Sequence, residues 1–213
     1  MNKPLRIALT KGRLEKDAIA LMERVGLDCQ SLRDKGRRLI LPLPDIGAEV
    51  VLAKAADVIT YVESGVCDMG IVGKDTILEN ASSLYELLDL GFGRCRFALA
   101  VKKGDDFFAG YGAKTIATKY PRITRRYFEK QSMDVSVVKI EGSVELAPLL
   151  GLADGIVDIV ETGVTLRENG LEVSRWICDI SARLAVNIAS LKLRKEEIES
   201  LVARLEQGLD QEK

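Results

Sequence analysis

Short apolar runs alternate along this chain with longer stretches in which apolar residues return every three or four positions. The runs at 5–9, 39–43, 50–52 and 69–72 predict strands, as do those at 115–118, 135–140 and 156–160. Between them, 14–25 carries Leu14, Ala18, Leu21, Met22 and Val25 on one helical face, and 55–63, 123–130 and 144–150 also predict helices. Residues 192–209 predict an amphipathic helix with Ile198, Leu201, Val202 and Leu205 on one side and a solvated charged face opposite. Such alternation of strand and helix predicts α/β architecture with mostly parallel sheets.

Two segments share one construction. Gly65-Val66-Cys67-Asp68 leads into Met69-Gly70-Ile71-Val72-Gly73, and Gly151-Leu152-Ala153-Asp154 leads into Gly155-Ile156-Val157-Asp158. Each is Gly-x-x-Asp, then an apolar strand, then a turn opening a helix. This predicts two lobes of like construction facing each other across a cleft, with both turns directed into it. No Ser/Pro-rich linker divides them. Residues 90–101 and 171–180 instead read as two extended crossings, which gives a first lobe of 1–91 plus 178–213 and a second of 92–177.

The 213 residues are enough for a sizeable core, and a net charge of -1 gives no reason to expect a nucleic-acid binder. No apolar run approaches the roughly 20 residues of a membrane span. The N-terminus enters a strand without a signal peptide's apolar region, so no membrane and a cytoplasmic location are expected. Cys29, Cys67, Cys95 and Cys178 are scattered without a Cys-x-x-Cys, which reads as buried reduced thiols. The chain has no histidine, which excludes Ser-His-Asp and Cys-His catalysis and any histidine-based metal site. A divalent cation held by carboxylates and substrate phosphates remains open.

The chemistry gathers at strand ends. Asp154 to Leu166 carries acids at Asp154, Asp158 and Glu161 and ends in Thr162-Gly163-Val164-Thr165, where a helix begins. Hydroxyls, a glycine and unpaired backbone N–H groups at such a turn make a phosphate cradle, and the acids can accept hydrogen bonds from sugar hydroxyls. The competing reading keeps Asp154 and the strand acids as turn or capping residues. Thr10-Lys11-Gly12-Arg13 follows the first strand and offers two cations; it also reads as a solvated helix start. Gly73-Lys74-Asp75 follows 69–72, with Asp75 an alternative N-cap. Glu141 stands at a strand end and Ser143 can cap the next helix. Arg37 and Arg38 offer forks that suit a triphosphate. Together these point to a phosphate-rich pair of substrates. A nicotinamide enzyme is disfavoured, because no Gly-x-Gly-x-x-Gly follows the first strand.

With those blocks in order, the chain resembles the short-form catalytic subunit of the ATP phosphoribosyltransferase family, essentially end to end. The resemblance is carried by Thr10-Lys11-Gly12-Arg13, Asp68-Met69-Gly70-Ile71-Val72-Gly73-Lys74-Asp75, Leu90-Gly91-Phe92-Gly93, Ala117-Thr118-Lys119-Tyr120-Pro121, Glu141-Gly142-Ser143-Val144-Glu145 and the segment 154–170. It implies a bilobed fold like the type II periplasmic binding proteins, with the active site in the interlobe cleft. It implies the first reaction of histidine biosynthesis: ATP and phosphoribosyl pyrophosphate give phosphoribosyl-ATP and pyrophosphate, with Mg2+ as cofactor. No protein metal ligands are assigned.

By the same resemblance the phosphoribosyl pyrophosphate site takes Glu141, Asp154, Asp158, Glu161, Thr162, Gly163, Val164 and Thr165. The ATP site takes Lys11, Gly12, Arg13, Arg37, Gly73, Lys74 and Asp75, and Lys11, Arg13 and Asp158 are the implied catalytic groups. The family usually shows an Arg-Pro-x-Asp-like stretch where this chain has Lys54-Ala55-Ala56-Asp57; a lysine keeps the charge and loses the bidentate fork. Val164 replaces a position that is often polar. The resemblance further implies a histidyl-tRNA-synthetase-like regulatory subunit as partner, no C-terminal regulatory domain, and a homodimer when alone. The rival reading is a solute-binding or sensor module of the same bilobed class.

Overall fold

The parallel strands that the apolar runs predict form a trio within each of two mixed sheets. The computed structural model describes residues 3–110 and 112–210. The chain falls into two compact units, Met1–Gly93 with Ser181–Lys213 (unit I) and Arg94–Ile180 (unit II).

In unit I the order of elements is β1 (Leu5–Thr10), α1 (Arg13–Arg24), α2 (Gln30–Arg33), β2 (Ile40–Leu43), a 3-10 turn (Pro44–Ile46), β3 (Ala48–Ala53), α3 (Ala55–Glu63), β4 (Met69–Gly73), α4 (Lys74–Asn80) and β5 (Tyr85–Asp89). Unit II contributes β6 (Cys95–Lys102), β7 (Lys114–Thr118), α5 (Pro121–Lys130), β8 (Val135–Lys139), α6 (Leu146–Leu149), β9 (Gly155–Val160), α7 (Val164–Glu168) and β10 (Leu171–Ile180). The chain then re-enters unit I as β11 (Ala182–Val186), α8 (Ile188–Leu193) and α9 (Lys195–Asp210).

The sheet of unit I runs β2-β3-β1-β4-β11-β5 and that of unit II runs β10-β6-β9-β7-β8. Read from the parallel side, β3-β1-β4-β11-β5 and β8-β7-β9-β6-β10 have the same order and the same directions. Only β2 has no counterpart. In each sheet the parallel trio (β3-β1-β4, β8-β7-β9) puts three strand ends on one edge, the place where α/β sheets bind ligands.

The repeated Gly-x-x-Asp is one device used twice. The Asp68 backbone N–H donates to the Arg6 carbonyl at 2.9 Å, while its carboxylate accepts from the Arg6 N–H at 2.9 Å. Asp154 does the same with Thr115, at 2.8 and 2.7 Å. Each aspartate thereby clamps the amino end of β4 or β9 to the neighbouring parallel strand.

Apolar residues of sheet I pack on both faces. Leu5, Ile7 and Leu9 meet Met22 of α1 and Ile198 and Leu205 of α9, while Ala8 and Val72 meet Val58 and Val62 of α3. In unit II, Ala98, Ala117, Ile156 and Val160 pack with Ala147 and Leu166. Three expectations are corrected. The single terminal helix is two, broken at Arg194, whose guanidinium reaches back to the Pro4 carbonyl and to Asp68, both at 3.1 Å. The helix expected over 144–150 is the four-residue α6, without a side-chain cap. Of the four thiols, Cys29 and Cys67 are buried, Cys95 is half-buried and Cys178 is exposed. Among the described residues no helix is long and apolar enough to cross a membrane.

Candidate active site

In unit I the carboxyl edge of the parallel trio collects Lys11-Gly12-Arg13 after β1, Lys54 after β3 and Gly73-Lys74-Asp75 after β4. Arg37 joins them because β2 runs antiparallel to β3: the Leu52 N–H donates to the Leu39 carbonyl at 2.8 Å, which puts the preceding turn beside the end of β3. Arg37 is exposed, whereas the Arg38 guanidinium donates to the carbonyls of Asp34 and Lys35 and is tied to its own turn.

The first loop is held rigid. Thr10 is buried, and its hydroxyl donates to the Ile71 carbonyl at 2.9 Å. Gly12 has φ 103 and ψ -130, a conformation open in practice only to glycine, and its N–H donates to the Glu15 carboxylate at 3.3 Å. Glu15 is itself buried and ion-paired with Lys35. Glu15 and Lys35 are supports that sequence reasoning missed, although a glutamate three residues after an N-cap is a legible capping signal. Lys11 is exposed and makes no ion pair among the described residues.

The turn after β4 differs from expectation. Lys74 is ion-paired with Glu86 of β5 and its backbone N–H donates to the Ser181 carbonyl at 2.9 Å, so its ammonium already has an anion. Asp75 is not the N-cap; Gly73 holds that place, and an Asp75 carboxylate oxygen lies 2.1 Å from where a Cβ on Gly73 would sit.

In unit II the matching edge carries Glu141 after β8 and Glu161-Thr162-Gly163-Val164-Thr165 after β9. Gly163, the N-cap of α7, has φ 70 and ψ 12, a left-handed turn that favours glycine. The Val164 N–H is 3.4 Å from the Thr162 hydroxyl, and an Arg167 guanidinium nitrogen donates to the Thr162 carbonyl at 3.2 Å. The same nitrogen lies 3.2 Å from a Cβ placed on Gly163, so Arg167 folds over the turn and braces it. Behind the turn is a cavity of about 290 Å³, where the Arg96 guanidinium stacks on Trp176 at 3.6 Å. Arg167 is a second support that spacing alone did not reveal; its position four residues after Gly163 is the only signal.

Asp158 is half-buried in β9, on the face it shares with Ile156 and Val160. Glu141 is fully exposed and ion-paired with Lys139 at 2.7 Å. That hydrogen bond holds its carboxyl below the usual carboxylate range, and the charge of Lys119 adds to the effect. Asp154 is not part of this edge. It lies at the amino end of β9, with Thr115, while the Thr162 turn follows the carboxyl end. A strand rises about 3.3 Å per residue, so the two are separated by most of the sheet's height.

Comparison with known proteins bears on what these edges serve. The sequence profile of HisG, ATP phosphoribosyltransferase, matches residues 54–207. The chain belongs to the ATP phosphoribosyltransferase family. It is 57% identical over 204 residues to an ATP phosphoribosyltransferase of Clostridium kluyveri, covering 96% of this chain and 93% of that protein. It is 54% identical over 211 residues to that of Clostridium acetobutylicum, covering 99% and 98%. Among solved structures it is similar to the ATP phosphoribosyl transferase (HisG:HisZ) complex from Thermotoga maritima, with TM-score 0.82 and 34% identity over 97% of this chain and 99% of that one. Residues 54–207 hold the Gly73 turn and every acid of the unit II edge, so the family match covers both.

Proposed function

We propose that this chain joins ATP to phosphoribosyl pyrophosphate, giving phosphoribosyl-ATP and pyrophosphate. The observation that carries the reading is the β9 turn. A left-handed glycine, two threonines and a bracing arginine stand at the carboxyl edge of a parallel trio that also carries the exposed carboxylate of Glu141.

The unit II edge holds the phosphoribosyl group. Backbone N–H groups of 163–165 and the hydroxyls of Thr162 and Thr165 take the 5-phosphate. Glu141, Asp158 and Glu161 face the ribose hydroxyls and the positive charge that develops on the ring; Asp154, at the other end of β9, keeps only its structural clamp. In unit I, Lys11, Arg13 and Arg37 offer cations to the ATP phosphates, with Gly12, Gly73 and Asp75 shaping the turns. Lys74 shapes its turn rather than meeting a phosphate, since its ammonium is held by Glu86 and its backbone N–H by the Ser181 carbonyl.

Adenine N1 attacks the anomeric carbon; the N1–C1 bond forms, the C1–O bond breaks and pyrophosphate leaves with the bonding pair. N1 carries a free lone pair at neutral pH, so no base is required and a chain without histidine suffices. The protein's work is positioning and stabilisation of charge. Mg2+ fits as a cation carried by substrate phosphates, which needs one or two carboxylates at most. Among the described residues no cluster of three or more metal-binding side chains exists, and Glu141 and Glu161, both exposed, would complete its shell. When bound it supplies charge neutralisation of the departing pyrophosphate.

The partner we assign is a HisZ-type regulatory subunit, as in the Thermotoga maritima complex, with a homodimer in its absence and a cytoplasmic location. The test is pyrophosphate release from ATP and phosphoribosyl pyrophosphate by the chain with such a subunit. Release that requires both substrates supports the reading; no release in the complete complex refutes it.

A further inference from the structure

The step Thr-Lys ends the central strand of both parallel trios. Thr10-Lys11 closes β1 and Thr118-Lys119 closes β7. Both threonines are buried and both use the hydroxyl in the same way: Thr10 donates to the Ile71 carbonyl of β4 at 2.9 Å, and Thr118 donates to the Val157 carbonyl of β9 at 2.6 Å. The lock fixes where the chain leaves the sheet, so the lysine that follows occupies the same place in each unit.

Exposed lysines are mostly just solvated, so position has to carry the case. Thr118 is in register with both Lys139 and Val157, and its carbonyl accepts from the Ile140 N–H at 3.0 Å. Lys119 therefore emerges between Glu141, after β8, and the Glu161–Thr165 turn, after β9. Three carboxylates, Glu141, Asp158 and Glu161, belong to this edge, and a phosphate brought among them needs a cation. Lys139 is committed to Glu141, Arg167 to the Thr162 carbonyl and Arg96 to the face of Trp176. Lys119 is exposed and has no hydrogen bond or ion pair among the described residues, yet it is near enough to Glu141 to add to the lowering of its pKa.

We propose that Lys119 binds a phosphate of the phosphoribosyl substrate, as the unit II counterpart of Lys11. The proposal rests on the reading that the β9 turn takes a phosphoribosyl group. Lysine suits the task as a point charge on a flexible stem that reaches beyond its strand end.

The test uses Lys119→Met, Lys119→Arg and Gly163→Val in the complex with the regulatory subunit, with KM measured for each substrate. Loss of one charge-assisted hydrogen bond predicts that Lys119→Met raises the KM for phosphoribosyl pyrophosphate roughly tenfold or more. The KM for ATP is expected to stay within about twofold, and Lys119→Arg to recover most of the loss. Competition identifies the phosphate: weaker inhibition of Lys119→Met by ribose 5-phosphate marks the 5-phosphate, and weaker inhibition by pyrophosphate marks the leaving group. Unchanged inhibition by both, an unchanged KM, or an equal rise for ATP overturns the proposal. If Gly163→Val weakens phosphoribosyl pyrophosphate and Lys119→Met does not, only the Lys119 assignment fails. If neither weakens it, the assignment of the turn fails as well.

Discussion

Units I and II are two solutions to one topology, and they differ in which turn is left open. In unit I the turn after the central strand is open, because Gly12 adopts φ 103 and leaves room above the start of the twelve-residue α1. In unit II the same turn is closed. Tyr120 stands where Gly12 does, its N–H donates to the Thr118 hydroxyl at 2.9 Å, its ring packs edge-on against Phe97 at 4.9 Å, and Pro121 removes the next N–H. The open turn there is the one after β9, where Gly163 supplies the left-handed step. After β4, the equivalent place in unit I, Lys74 is tied to Glu86 and Ser181. The same scaffold thus leaves a glycine turn open one strand apart in its two copies.

The aspartate clamps differ in the same instructive way. Asp68 is buried and accepts further hydrogen bonds from Ser190 at 2.7 Å and Arg194 at 3.1 Å, so the clamp of unit I is also the anchor of the C-terminal helices. Asp154 is exposed and holds only Thr115. The largest expected effect separates the two. Asp68→Ala leaves the Ser190 hydroxyl and the Arg6 N–H without their acceptor and Arg194 with Glu197 as its remaining carboxylate, and should destabilise unit I by about 2–4 kcal/mol. Asp154→Ala removes one exposed hydrogen bond and should cost about 1 kcal/mol. Thermal melts of both variants check this, and equal losses would break the difference drawn between them.

Next in size is the glycine that opens the unit II turn. Gly163→Val forces a β-branched residue into the left-handed region, worth about 1–3 kcal/mol of strain, and should raise the KM for phosphoribosyl pyrophosphate by roughly 10- to 100-fold. Arg167→Gln removes the brace while leaving the glycine in place. It should raise the same KM about fivefold, as expected for one hydrogen bond to a guanidinium at an exposed site. Steady-state kinetics of the two variants rank turn shape against turn support.

A further effect is on pH. Burial pushes the Cys29 and Cys67 thiols up to about 11 from 9.0. In the unfolded chain they ionise first, so their contribution is full below pH 9 and is lost as pH rises from 9 to about 11. Both thiols belong to unit I, and denaturant melts at pH 8 and pH 10.5 should show a loss confined to that unit. Thiol labelling of the native chain at pH 8 should reach the exposed Cys178 and spare these two.

Much of the fold was legible because apolar periodicity tracks burial. The strand runs and the faces of α1 and α9 follow directly from Leu5, Ile7 and Leu9 or from Ile198, Leu201 and Leu205. The Gly-x-x-Asp repeat exposed the internal duplication. The break at Arg194 was not legible, since no glycine or proline marks it; it is made by a distant partner, Asp68, 126 residues away. At the site, residue types located the turns correctly, but spacing placed Asp154 with them, because an acid four residues before Asp158 sits on the same face of the strand. Only the strand's direction shows that it lies at the wrong end. The pairing of Lys74 with Glu86 was hidden because it is made by β5, which lies beyond β11 from β4 in the sheet and which the pattern of residues did not announce.

The carboxyl edge of unit II, and not the whole acidic segment, is expected to hold the phosphoribosyl group. The most direct measurement is pyrophosphate release as a function of phosphoribosyl pyrophosphate concentration for Gly163→Val and Asp154→Asn in the complex with the regulatory subunit. The KM is expected to rise at least about tenfold for Gly163→Val and to stay within about twofold of the parent for Asp154→Asn. A raised KM for Asp154→Asn with Gly163→Val unaffected would contradict this expectation.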